Sequence, residues 1–192
     1  MVGYYGINMF LPTISQGLSE TISLSTQGMG WLLGFMYACA IVVMILVGNH
    51  SDKKNERRWH VAACLTVSAV AMIISSYVAN SSVILAFVFL TIALCGAFGA
   101  YSPFWAIPPS FLTGAAAGGA IALINSIGNL GGFFGPYIVG YIKDITGSFN
   151  ISMISLGISM ILASLIIVFL VKQTGKALIV NNTDKSSIEK TS

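Results

Sequence analysis

With 192 residues, 56% hydrophobic and only 8% charged, and a mean hydropathy of +0.86, the chain lies far from soluble composition, where charged residues approach ~25%. The formal net charge of +3 sits in a few loop and tail positions rather than over a surface, which argues against a nucleic-acid partner and for a membrane protein. Cys39, Cys64 and Cys95 lie in apolar runs without C-x-x-C spacing or clustered histidines, so they read as packing residues, with neither a disulfide framework nor a metal site.

Met1 leads directly into an apolar stretch with no basic segment and no small-residue cleavage site, so no signal peptide is expected. Val2 to Leu11 supplies about half of the ~20 residues a spanning helix needs before Pro12 interrupts it, and reads as the tail of a longer helix. Hydrocarbon excludes Asp, Glu, Lys and Arg, and none of them occurs from Trp59 to Ile142. That interval has room for three crossings, cut by Asn80-Ser81-Ser82 and by the glycine-rich stretch from Thr113 to Gly119. The predicted spans are Gly28 to Gly48, His60 to Ala79, Val83 to Leu112, Ala120 to Ile142 and Asn150 to Val171, five full helices after one partial helix. Their continuous apolar runs are about twice the ~10 residues of a barrel strand, so the expected class is an all-α membrane protein. Pro103, Pro108, Pro109 and Pro136 are expected at kinks or helix ends, with the bend at Pro103 the functional one.

Lys53, Lys54, Arg57 and Arg58 share one loop, and Lys172, Lys176, Lys185 and Lys190 share the C-terminal segment, whereas Lys143 falls on the other side. By the positive-inside rule, loop 49–59 and the tail are cytoplasmic in a bacterial inner membrane. The polar segment 172–192 cannot bury enough surface to fold alone and is expected to be a disordered tail behind a transmembrane unit spanning residues 1–171. Gly30-x-x-x-Gly34, Gly128-x-x-x-Gly132 and Gly131-x-x-x-Gly135 have helix-contact spacing, which reads as tight packing or as a sliding contact in alternating access.

The loop from Gly48 to His60 carries the strongest local signal. Topology alone explains its four cations but not an Asp four residues beyond a glycine at a helix end. Here the sequence resembles the major facilitator superfamily, whose cytoplasmic loops after the second and eighth helices carry Gly-x-x-x-Asp-Arg/Lys-x-Gly-Arg-Arg. Gly48, Asp52, Lys53, Arg57 and Arg58 fit that gating pattern with the basic pair displaced by one position, while Asn55 and Glu56 depart from it. The form His50-Ser-Asp-Lys-x-x-Glu-Arg-Arg-Trp-His60 looks like the anion:cation symporter branch, which includes tartrate, phthalate and hydroxyphenylacetate permeases. Ser102-Pro-Phe-Trp-Ala-Ile-Pro108, Phe111-Leu-Thr-Gly114 and the run from Ile121 to Tyr137 are similar to the tenth and eleventh helices of that branch. The resemblance covers nearly the whole chain. It implies the C-terminal six-helix half of a major facilitator fold, with residues 1 to about 14 ending the seventh helix and the full spans being helices eight to twelve.

Polar residues inside the spans mark where a ligand could bind. Asn125 and Asn129, spaced i, i+4, share a helix face near mid-membrane, where each amide needs either a ligand or an interhelical partner. Trp105 and Ser102 flank the Pro103 kink and offer an indole donor, an aromatic wall and a hydroxyl. The resemblance points Ser102, Trp105 and Asn125 toward substrate, with Asn129, Tyr5 and Asn8 as weaker candidates. His50 and His60 lie in or beside the basic loop without a carboxylate and nucleophile arranged as a triad, so no enzyme activity and no cofactor is expected.

The spans hold neither a cation for an anionic substrate nor a carboxylate to carry a proton. In the resembled family those groups lie mainly in the N-terminal half. The resulting expectation is half of a proton-coupled symporter for a small organic acid, partnered by the missing N-terminal six-helix half within the lipid bilayer. Competing expectations are a truncated remnant or membrane subunit that transports nothing without another protein, and a homodimer of halves.

Overall fold

A computed structural model describes residues 1–21, 23–110 and 114–171. The elements are α1 (Val2–Thr21), α2 (Thr26–Lys54), α3 (Arg57–Val78), α4 (Val83–Trp105), a 3-10 turn (Pro108–Ser110), α5 (Gly114–Thr146) and α6 (Phe149–Leu170), with no strand among the described residues. Five helical segments, α2, α3, α4 with its following turn, α5 and α6, are long and apolar enough to cross a membrane. Three helices start on serine caps whose hydroxyl accepts a free N–H of the first turn: Ser25 from Gly28, Ser82 from Leu85 and Ser148 from Asn150. The expected tail, 172–192, and residues 111–113 lie outside the described residues.

α3 packs against α4 and α6, α2 against α4, and α1 along α5 with further contacts to α4 and α6. Lipid tails are as apolar as leucine, so the hydrophobic effect does little to bring these helices together, and close packing and interhelical hydrogen bonds take over. Ser68 Oγ donates to the Ala93 carbonyl at 2.6 Å and Ser75 Oγ to that of Ala86 at 2.9 Å, tying α3 to α4. Ser164 Oγ donates to Ala62 at 3.0 Å and ties α6 to α3, while Ser152 Oγ donates to Val139 at 3.0 Å and ties α6 to α5. Close approach also needs glycine: a Cβ on Gly96 of α4 would stand 2.7 Å from the Cys64 carbonyl oxygen of α3. On α5, Gly131 and Gly135 meet the backbone of Val2 in the same way, which realises that glycine spacing as a contact with α1. Gly30 and Gly34 of α2 meet nothing within 4 Å among the described residues, so their spacing makes no contact there.

Four boundaries differ from expectation, the first being that α5 begins at Gly114 rather than Ala120, so that residues 114–119 of the glycine-rich stretch are helical instead of separating two spans. α1 does not stop at Pro12 but continues to Thr21. The proline removes only the bond to the Asn8 carbonyl, and buried Leu11 and Ile14 on either side hold the helix in its packing. α4 ends at Trp105 rather than near residue 112, because Pro108 disfavours helical geometry at Ile107 and the chain passes into the 3-10 turn. α2 runs to Lys54, so most of the basic loop belongs to helix ends and the connection shrinks to Asn55 and Glu56. Lys53 and Lys54 occupy the last turn of α2, where cations oppose the partial negative charge of the helix end.

Candidate functional site: a polar and aromatic seam

The α2–α3 turn defines one end of the bundle. Asn55 caps α2 with φ 51°, the left-handed region, and stands where the major facilitator pattern has glycine; asparagine is the residue that next best tolerates that geometry. Arg57 forms an ion pair with Asp52 at 3.5 Å and donates to the Ala106 carbonyl at the C-terminal end of α4. Gly48 sits against Ser102 so closely that a Cβ would stand 2.6 Å from the serine Oγ. Gly48, Asp52 and Arg57 thus clasp the ends of α2, α3 and α4, while Lys53 is exposed and the Arg58 guanidinium lies 5.2 Å from the Trp59 ring centre.

Away from this clasp, polar side chains from four helices meet. Tyr5 of α1 donates its hydroxyl to Asn129 Oδ1 of α5 at 2.9 Å. One turn along α1, Asn8 donates to the Tyr4 carbonyl at 2.8 Å and accepts from the Tyr37 hydroxyl of α2 at 3.3 Å. Tyr4 stacks on Tyr101 of α4 with ring centres 5.0 Å apart, and Tyr101 meets Trp105 edge-on at 6.1 Å. Phe98 fills the angle between Tyr4 and Tyr37, at 5.4 and 5.9 Å. The result is a continuous seam from Asn129 through Tyr5 and Tyr4 to Tyr101 and Trp105, with a branch through Asn8 to Tyr37.

Among the sequence-derived candidates, Tyr5, Asn8, Asn129 and Trp105 join this seam. Asn125 is exposed on α5 one turn before Asn129. Ser102 instead packs on Gly48 at the clasp, because the α4 chain approaches α2 there. Sequence reasoning overlooked Tyr4, Tyr37, Phe98 and Tyr101. The signal was available for two of them: Tyr4 precedes Asn8, and Tyr101 precedes Trp105, by four residues, which places each pair on one helix face. Tyr37 has no comparable neighbour in the sequence.

The seam is chemically neutral. It offers hydroxyl and amide donors and ring faces, suited to hydrogen-bonding a carboxylate and walling its carbon skeleton, and it supplies no formal charge. The Trp105 Nε1 hydrogen is buried without an acceptor among the described residues. A cavity of about 410 Å³ adjoins Tyr4, Tyr101 and Ser159 but is walled mainly by apolar residues such as Val61, Leu65 and Ala97, which makes it a poor anion site. The charged side chains of the described spans collect at the helix ends: the clasp at one, Lys143 and Asp144 at the other.

Comparison with known proteins agrees with this architecture. No solved structure matches the chain. A protein of Agrobacterium vitis named "Putative tartrate transporter" is 34% identical over 175 residues, covering 91% of this chain and 38% of that protein. A second protein of that name from the same organism is 38% identical over 77% of this chain and 33% of its own length. The "Quinolone resistance transporter" of Acinetobacter baumannii is 35% identical over 87% of this chain and 37% of its own. The chain therefore spans little more than a third of the relatives it matches. The profile of the Major Facilitator Superfamily matches residues 1–189, and together with the helical bundle and its clasp this makes the chain a multi-pass membrane protein belonging to that superfamily of transporters.

Proposed function

We propose that the chain is the C-terminal half of a secondary transporter for a small organic anion, a carboxylate, moved together with a proton. The observation that carries this reading is the seam: neutral donors and ring faces from α1, α2, α4 and α5 converge where a carboxylate could be hydrogen-bonded. Relatives named for tartrate transport support the carboxylate class. Because the seam has no cation for the substrate and no carboxylate for the proton, both functions fall to a second six-helix unit. The uncovered faces support such a partner. Few residues in the membrane-crossing stretches of α2 and α5 are buried within the chain, against roughly half of those in α3 and α4. In this arrangement the substrate binds between the two units, which rock about it.

The clasp then acts at the cytoplasmic mouth of the pathway, in a bacterial inner membrane. Four cations at the α2–α3 turn, against Lys143 at the opposite end, support that orientation.

The test is uptake of labelled tartrate and other organic acids into proteoliposomes by this chain joined to the N-terminal half of the A. vitis relative. Tyr5→Phe, Asn129→Ala and Trp105→Ala should each lower uptake without altering expression or folding. Full activity in the triple variant would remove the seam from the binding pathway.

A further inference from the structure

The two histidines of the chain, far apart as sequence signals, are brought together by the α2–α3 turn. His50 Nδ1 lies 2.8 Å from His60 Nε2, and the ring centres are 4.9 Å apart. The other nitrogen of His60, Nδ1, is hydrogen-bonded to the Glu56 carbonyl oxygen. A carbonyl can only accept, so Nδ1 carries the hydrogen and Nε2 of the neutral ring keeps its lone pair toward His50. In the resting pair His50 Nδ1 fills that lone pair with its own hydrogen.

We infer that His50 and His60 form a two-histidine site for a borderline divalent transition metal, copper, nickel or zinc, which replaces the shared proton and bridges α2 and α3. The separation of the two nitrogens is close to what such an ion needs, once the rings turn so that both lone pairs converge on it. At metal–nitrogen distances of ~2.0–2.1 Å, two cis nitrogens at the right angle of tetragonal copper or nickel stand ~2.9 Å apart, near the 2.8 Å already present, whereas tetrahedral zinc sets them ~3.3 Å apart and needs a small outward shift of one ring. His60 has the support typical of a ligating imidazole, its other N–H donated to a backbone carbonyl, which fixes tautomer and orientation. The turn itself is held by the Ser51 hydroxyl, which donates to that same carbonyl at 3.2 Å, and by the Asp52–Arg57 ion pair. His50 is exposed and His60 partly so, leaving room for water to complete the coordination shell.

The surrounding charge decides the metal class. Lys53, Lys54, Arg57 and Arg58 outnumber Asp52 and Glu56, so a hard cation held by electrostatics alone, magnesium or calcium, is repelled. An ion that bonds imidazole nitrogen gains enough to overcome a screened surface repulsion. This site uses no residue of the seam, so it does not depend on the substrate reading.

The experiment is titration of Cu(II), Zn(II), Mg(II) and Ca(II) into the full chain, purified in detergent without a polyhistidine tag. One Cu(II) should bind per chain at micromolar concentration with an electron paramagnetic resonance signature of two nitrogen ligands, and magnesium and calcium should not bind. His50→Gln and His60→Gln should each weaken copper binding by at least about tenfold, and the double variant should lose the two-nitrogen signature. On the unmutated chain, Zn(II) should protect both histidines from diethyl pyrocarbonate, a readout that does not depend on any variant folding. Unchanged copper affinity in a folded double variant, a signature with fewer than two nitrogens, or histidines modified equally with and without zinc would overturn the inference.

Discussion

Replacing Gly96 by alanine tests whether α3 and α4 are held by backbone contact. The added Cβ would stand 2.7 Å from the Cys64 carbonyl oxygen and 2.9 Å from the Ser68 nitrogen, both backbone atoms that cannot rotate away. Relieving the contact requires the helices to part by about 0.5–0.7 Å, which strains the 2.6 Å bond from Ser68 to Ala93 one turn away. Overpacking costs about 1–3 kcal/mol and the hydrogen bond about 0.6 kcal/mol, offset by about 1 kcal/mol of better helix propensity. Gly30→Ala gains the same propensity with nothing within 4 Å to meet, so it is the matched control. The difference between the two variants, about 1.6–3.6 kcal/mol, is the packing and hydrogen-bond contribution with the propensity removed. It can be read from reversible unfolding in mixed micelles of increasing SDS content. Equal stability of the two variants would refute the close α3–α4 approach.

Four further outcomes follow from the same contacts. A double-mutant cycle with Tyr5→Phe and Asn129→Ala should give a coupling of about 0.6 kcal/mol in the same unfolding assay, and zero coupling would mean that the 2.9 Å bond is not formed. Ser75→Ala should destabilise by about 1 kcal/mol through loss of its bond to Ala86, measured the same way. Asn55→Gly should be tolerated, whereas Asn55→Val should cost about 1–2 kcal/mol because valine resists the left-handed cap; comparable stability of the two would contradict the turn geometry. A cysteine placed at Asn55 in a background free of the native cysteines should react with an impermeant maleimide only after the cytoplasmic face is opened, and labelling from the outside of intact cells would reverse the proposed orientation.

The number of full spans was legible because hydrocarbon imposes length and excludes charge, and the stretch from Trp59 to Ile142 obeys both. Helix ends were less legible. Pro12 reads as a stop, yet the burial of Leu11 and Ile14 carries α1 past it, a tertiary effect with no local signal. Charge marked the α2–α3 connection as a loop, while the capping geometry of Asn55 lets α2 run through Asp52, Lys53 and Lys54. At the candidate site, in-helix spacing placed Asn125 and Asn129 on one face. The pairing of Asn129 with Tyr5, 124 residues away in sequence, and of Asn8 with Tyr37 depends on how helices cross, which no single helix encodes. Ser102 was drawn to the site by its position beside Pro103, whereas its neighbour across the helix contact is Gly48.

The central claim is that this chain supplies a neutral binding wall and depends on a second unit for charge and coupling. The most direct measurement compares proton-driven uptake of labelled tartrate in proteoliposomes containing this chain alone with uptake by the chain joined to a charge-bearing six-helix half. Uptake only in the joined protein, lost when the proton gradient is collapsed, is the predicted result. Gradient-driven uptake by the chain alone would contradict the account, since a complete pathway would then exist with no charged group in the seam.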